Sequence, residues 1–113
     1  MNDQSIEKEI QEKGLTAPRI TPDDIEANIS EEVYLTPDEV VIARGGQVTQ
    51  SSPIRLLTIC VLVLKNGFTV TGESACASPE NFDAELGRKI ARQNAVNKIW
   101  PLMGYELKER LSK

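Results

Sequence analysis

The strongest pattern in the chain is a pair of apolar runs that differ in kind. Residues 57–64, LTICVLVL, are apolar almost throughout, whereas residues 68–74, FTVTGES, open as an alternation of apolar and polar positions. Asn66-Gly67 lies between them, and Asn-Gly is the strongest short hairpin signal because both central positions of a type I′ turn need positive φ. The pattern predicts two antiparallel strands, at about 56–64 and 68–76. With a two-residue turn, Leu57 falls opposite Cys76 and Cys60 opposite Glu73. Leu57, Ile59, Val61 and Val63 then share the main core face with Phe68, Val70 and Cys76. The other face carries Leu56, Cys60, Leu62 and Leu64 against Thr69, Thr71 and Glu73. The first strand is apolar on both faces, which places it inside a sheet with an apolar cover on its second face. Either the short helices of the front half or another subunit supplies that cover, and the second option predicts a homo-oligomer.

Helical signals flank the hairpin. Residues 1–20 are polar and read as a flexible tail, with Ile6 and Ile10 spaced for a transient helix. TPDDIEANI opens with a Thr21 cap, Pro22 in the first turn and two acids against the positive end of the helix dipole. TPDEVV at 36–41 repeats that opening, and 43–53 reads as a flexible connector. Beyond the hairpin, Ser78 and Pro79 can start a helix, or Asp83 can cap one a turn later. Leu86, Ile90, Ala91, Ala95, Ile99 and Leu102 form one wide stripe, with Gly87, Ala91 and Ala95 small enough for close packing. Pro101 should kink or end this helix after Trp100, with Gly104 as a C-terminal cap. The fold class is therefore α+β: short N-terminal helices, a small antiparallel sheet built on the hairpin, and a long C-terminal helix packed on the Phe68/Val70 face. Residues 21–113 make a single domain behind the 1–20 tail.

Charge is unevenly spread. Residues 1–53 carry four Lys/Arg against eleven Asp/Glu, and residues 54–113 carry nine against six. That layout argues against the whole molecule wrapping a nucleic acid but leaves room for a local anion site. The chain has no histidine, which removes the commonest metal ligand and neutral-pH base. Cys60 and Cys76 fit neither a zinc knuckle nor a CxxC pair, and on opposite sheet faces they should stay reduced. MNDQSIEKEIQEKG lacks the features of a signal peptide, and LLTICVLVL is half a membrane span, so a soluble intracellular protein is expected.

Candidate chemistry is sparse. Glu73 and Asp83 could be paired as acid and base, but solvated or capping roles explain them, and Ser74 is not in a nucleophile elbow. Arg88, Lys89 and Arg92 lie on a flank of the last helix away from the stripe, near its dipole-positive start, with Ser78 and Asn81 in the loop before it. These five make a candidate site for an anion or nucleotide, with Glu85 as the competing in-helix partner. Asn94, within the stripe, reads as a satisfied core polar group with a ligand contact as the alternative, and Trp100 and Tyr105 as core anchors with base stacking as the alternative. No metal site or cofactor is predicted.

Two resemblances add to this reading. LKNGFTVTGESACASPENFDAELGRKIARQNAVNKIWPLMGY resembles a family of small tailed-phage and prophage proteins, the gene-product-forty-nine-like family, and RITPDDIEANI upstream fits it too. The likeness covers most of residues 19–111 and is weakest between 33 and 53. It implies a phage accessory protein rather than a capsid component or replication enzyme, and it carries over no catalytic or binding residues. Accessory phage proteins of this size often act by binding, blocking a host protein or sequestering a defence signal. The second likeness is to the end of a double-stranded-RNA-binding domain, where Gly87, Arg88, Lys89, Ala91, Arg92 and Ala95 fit the start of the closing helix. The long link from Glu73 to Gly87 and the acidic front helix depart from that pattern and oppose contacts with phosphate. The expectation is a non-enzymatic binding protein of the host cytoplasm, homo-oligomeric, taking a small anionic ligand or a host protein. An RNA-binding module is the alternative.

Overall fold

The computed structural model describes residues 2–113. The chain runs α1 (Asp3–Glu12), α2 (Pro22–Ala27), β1 (Ile29–Leu35), α3 (Pro37–Ala43), β2 (Leu57–Leu64), β3 (Thr69–Ala75) and α4 (Ala84–Leu111), with 3₁₀ turns at Pro53–Leu56 and Pro79–Asn81. The strands form one antiparallel sheet in the order β1-β2-β3, and α4 packs on β2 and β3. This is the expected α+β architecture with one strand more.

The hairpin turn decides which face becomes the core. The Leu64 N–H donates to the Phe68 carbonyl at 2.8 Å and the Gly67 N–H to the Leu64 carbonyl at 2.9 Å. Lys65, Asn66 and Gly67 thus form a three-residue loop, and only Gly67 takes positive φ, at 89°. That geometry is a turn closed by a left-handed glycine bulge rather than the expected type I′ turn. Asn66 Oδ1 accepts from the Phe68 N–H at 2.9 Å, which steadies the loop.

One extra loop residue shifts every pair by one and exchanges the faces. Leu57 pairs with Ala75, Cys60 with Gly72 and Leu62 with Val70, not in the register expected from a two-residue turn. Cys60, Leu62 and Leu64, with Val70, lie in the core beneath α4. The Leu57, Ile59, Val61 and Val63 face, expected as the main core, stays only half-buried, and Phe68 is 56% exposed. Both cysteines are free. Separation along the sheet keeps them apart: Cys76 lies four residues beyond the partner of Cys60, roughly 13 Å at strand rise.

β1 was not legible as a strand because ISEEVYL exposes four of its seven positions and carries two glutamates in its middle. It covers the second edge of β2, with a bulge between Ile29 and Glu31. α2 and α4 begin as expected of capped helices. The Thr21 and Asp24 side chains bond reciprocally to each other's N–H, and Asp83 accepts from the Leu86 N–H at 3.1 Å. The Ser78-Pro79 start makes only a 3₁₀ turn before it.

Small residues, not the large ones of the expected stripe, set the seat of α4. Gly87, Ala91, Ala95, Val96 and Ile99 are buried, while Leu86, Ile90 and Leu102 are 40–52% exposed. A Cβ on Gly72 would stand 2.3 Å from the Ala91 carbonyl oxygen and the Ala95 nitrogen. The helix backbone therefore rests almost directly on the strand. Pro101 and Gly104 lie inside one continuous helix, contrary to the expected kink and cap. Pro101 and Asn97 are both exposed, so the carbonyl left without its N–H partner opens to water. At 28 residues α4 is about 42 Å long and overruns the eight-residue β2, consistent with a longest dimension of 54 Å.

α1 lies in the stretch expected as a polar tail. Its start is closed by reciprocal Asn2 and Ser5 bonds. Glu7 takes two bonds from Arg19, at 2.6 and 2.7 Å. Those bonds, with help from Gln11, push the Glu7 carboxyl down to about 2. Asp3 accepts from the Trp100 indole at 3.2 Å, joining α1 to α4.

Candidate ligand-binding cleft

α4 presents Arg88 and Arg92 one turn apart on the flank that faces β1. Arg92 is fully engaged. Its Nη atoms donate to both Glu26 oxygens at 2.9 and 2.7 Å, and its Nε donates to Glu32 at 3.0 Å. The second Glu32 oxygen accepts from the Tyr34 hydroxyl at 2.7 Å. The resulting clamp ties α4 to α2 and β1. Tyr34, then Arg92, holds the Glu32 carboxyl below its usual range. Burial, reinforced by Glu32, pushes the Tyr34 hydroxyl well above its own. Burial also raises the Cys60 thiol, so Cys60 is no reactive nucleophile. Arg92, chosen from the sequence as a ligand contact, is a structural cation.

Arg88 has no carboxylate partner among the described residues. It opens into a cleft of about 290 Å³ bounded by the end of β1, the start of α3, the start of β2 and the start of α4. Arg55, Asp38, Glu39, Thr36 and Phe82 line the same cleft, with Thr58 at its floor. Gly87 lets α4 close over that floor, since a Cβ there would lie 3.1 Å from the Thr58 hydroxyl.

Arg55 is held from two sides. It donates to the Thr49 and Val48 carbonyls, each at 2.9 Å, and its Nη1 lies 3.5 Å from Asp38 Oδ2. The other carboxylate oxygen, Asp38 Oδ1, is buried without a hydrogen-bond partner. A buried carboxylate oxygen left unpaired is costly.

The five sequence-chosen residues do not form one site. Arg88 lines the cleft; Arg92 lies in the clamp; exposed Lys89 is 3.4 Å from Glu85, its in-helix partner. Ser78 and Asn81 belong to the 3₁₀ turn, where the Asn81 N–H donates to the Ser78 carbonyl at 3.0 Å. Neither lines the cleft. Asp83 is occupied as the α4 cap and Glu73 is exposed. Asn94 is satisfied as expected, donating to the Glu73 carbonyl at 2.8 Å, but from an exposed flank rather than the core. Trp100 packs against the core, whereas Tyr105 is 73% exposed beyond the sheet. A larger apolar hollow of 640 Å³ at the hairpin tip, between Leu64, Phe68, Leu102 and Met103, holds none of the five. Among the described residues, no cluster of three or more His, Cys, Asp or Glu could hold a metal ion, and no helix is long and apolar enough to cross a membrane.

Residues 20–111 match the phage protein (N4 Gp49/phage Sf6 gene 66) family. The chain belongs to that family. No curated protein and no solved structure matches it. The phage-family segment contains the whole cleft and the whole Arg92 clamp, and leaves out α1. Sequence reading missed Arg55, Asp38 and Phe82. Their only signal was position: each stands at an element's start or end, and the untraced β1 and the irregular connector brought them together.

Proposed function

We propose that this phage protein acts by binding rather than by catalysis, in the host cytoplasm, and that it takes up a small nucleotide-like anion in the Arg88 cleft. Sequestering such a molecule is a way for a phage accessory protein to counter a host defence signal. The supporting observation is that one cleft holds Arg88, a cation with no carboxylate partner among the described residues, beside the Phe82 ring. A phosphate meets Arg88, with the Phe82 ring at hand for stacking a base. Glu39 in the same cleft favours a ligand that carries donors as well as negative charge over a bare anion.

A thermal-shift screen against linear and cyclic nucleotides tests this reading. At least one nucleotide should raise the melting temperature, and Arg88→Glu, at an exposed position, should abolish the rise without lowering the melting temperature of the free protein. The reading is wrong if no nucleotide stabilises the protein, or if the shift survives Arg88→Glu.

A second reading, blocking of a host protein, draws on the opposite face of the sheet. Ile59, Val61 and Val63 are only half-buried there, Val33 is 47% exposed, and none belongs to the core. Capture of one defined host protein that is lost on Val61→Asp would favour it.

A further inference from the structure

The charges along the Arg88 cleft restrict what it takes up. Four charged side chains line it: Arg55, Arg88, Asp38 and Glu39. Arg55 is already engaged, since it donates to the Val48 and Thr49 carbonyls and lies against Asp38. Arg88 and exposed Glu39 remain, one cation and one anion. The neighbouring cations of α4 are held elsewhere, Lys89 by Glu85 and Arg92 by Glu26 and Glu32. A single negative charge on a ligand therefore meets Arg88. Every further charge meets the Glu39 and Asp38 carboxylates with no cation left to answer it.

The floor supplies a separate observation. Thr58 is 3% exposed and lines the cleft, yet its hydroxyl makes no hydrogen bond to any described residue. Buried hydroxyls are normally bonded, and the cleft is where this one opens. The walls are aromatic from two elements: Phe82 ahead of α4, and Tyr34 of β1, whose hydroxyl is engaged by Glu32. At about 290 Å³ the cleft lies at the lower end of ligand sites, which run from about 300 to 1,000 Å³. That is room for one base with its sugar phosphate, but not for two joined nucleotides.

We infer that this cleft selects a nucleoside cyclic monophosphate, a molecule with one base and one phosphodiester of single charge. The inference rests on the reading of the cleft as a nucleotide site and narrows it. The phosphodiester takes Arg88, the base stacks on the Phe82 ring, and an acceptor of the base or sugar reaches the Thr58 hydroxyl. Base amino groups turn to Glu39, which accepts their hydrogen bonds and repels the second charge of a 5′-monophosphate. Triphosphates are excluded by charge and cyclic dinucleotides by size.

Isothermal titration calorimetry on the full chain tests it, with the 3′,5′-cyclic mononucleotides, the matching 5′-monophosphates and triphosphates, and cyclic dinucleotides. One cyclic mononucleotide should bind, and its 5′-monophosphate about tenfold more weakly. Triphosphates and cyclic dinucleotides should show no binding. Thr58→Val, which keeps the shape of the side chain, should weaken the cyclic mononucleotide roughly fivefold. Glu39→Gln, at an exposed site, should narrow the gap to the 5′-monophosphate about threefold. Triphosphates or cyclic dinucleotides that bind as tightly as the cyclic mononucleotide, and are lost in Arg88→Glu, overturn the inference while leaving a nucleotide site in place. Unchanged affinity in Thr58→Val or an unchanged gap in Glu39→Gln overturns it as well; if Thr58→Val unfolds the chain, Glu39→Gln decides alone. Binding of no nucleotide removes the reading of the cleft and the inference together.

Discussion

Arg88 and Arg92 are one helical turn apart on the same flank of α4, yet they have opposite surroundings. Arg92 meets two glutamates and spends three hydrogen bonds on them; Arg88 meets none and looks into a cleft. Helix spacing placed both on one side, but what stood opposite was decided by α2 and β1, elements far away in sequence. A basic cluster on a helix is thus not yet a site. The cation left over after the fold has used what it needs is the functional candidate.

The comparison breaks most completely if α4 loses its seat. Gly72→Val puts side-chain atoms into the Ala91–Ala95 backbone and should cost at least ~3 kcal/mol, pulling Arg92 from its partners and opening the Arg88 cleft. Urea unfolding followed by circular dichroism measures it, and an unchanged midpoint would show that helix and strand are not in close contact. Next in size is removal of an acid from the clamp. Glu26→Gln should cost on the order of 1 kcal/mol, reduced by the partial exposure of the pair, while Lys89→Ala should fall within roughly 0.5 kcal/mol of wild type.

A smaller effect is pH dependence. Glu32 and Glu7 have lowered carboxyl pKa values, so the stability they add is present above the ordinary carboxylate range and is lost as pH falls through their lowered values. For Glu7 that window runs from 4.5 down to about 2. The raised Tyr34 hydroxyl works the other way, adding stability below its ordinary value of 10.0 that is lost as pH rises beyond it. Unfolding midpoints measured from acid to alkali should therefore fall at both ends, and Glu32→Gln should make both slopes shallower, with Glu7 keeping part of the acid slope and the burial of Tyr34 part of the alkaline one, while Arg88→Ala leaves them alone.

Much of the fold was legible because it is local. Thr21-Pro22 and Asp83 are capping signals that read from a few residues, and LTICVLVL next to FTVTGES announces a hairpin. The register was not legible, since type I′ and bulged turns both accept Asn-Gly and differ by one residue. That single residue moved Cys60, Leu62 and Leu64 to the covered face and Ile59 and Val61 to the open one. β1 escaped because edge strands are polar by design and ISEEVYL resembles a solvated loop. Without β1, neither the Glu32 partner of Arg92 nor the Tyr34 wall of the cleft could be seen, so two cations with different fates looked alike.

The most direct measurement is a pair of urea titrations, Arg88→Ala and Arg92→Ala against wild type at neutral pH. Arg92→Ala should lose about 1–2 kcal/mol, since it frees two glutamates of their shared cation, while Arg88→Ala should stay within about 0.5 kcal/mol. Equal losses, or the larger loss at Arg88, would contradict the division of α4 into a structural and an unengaged cation.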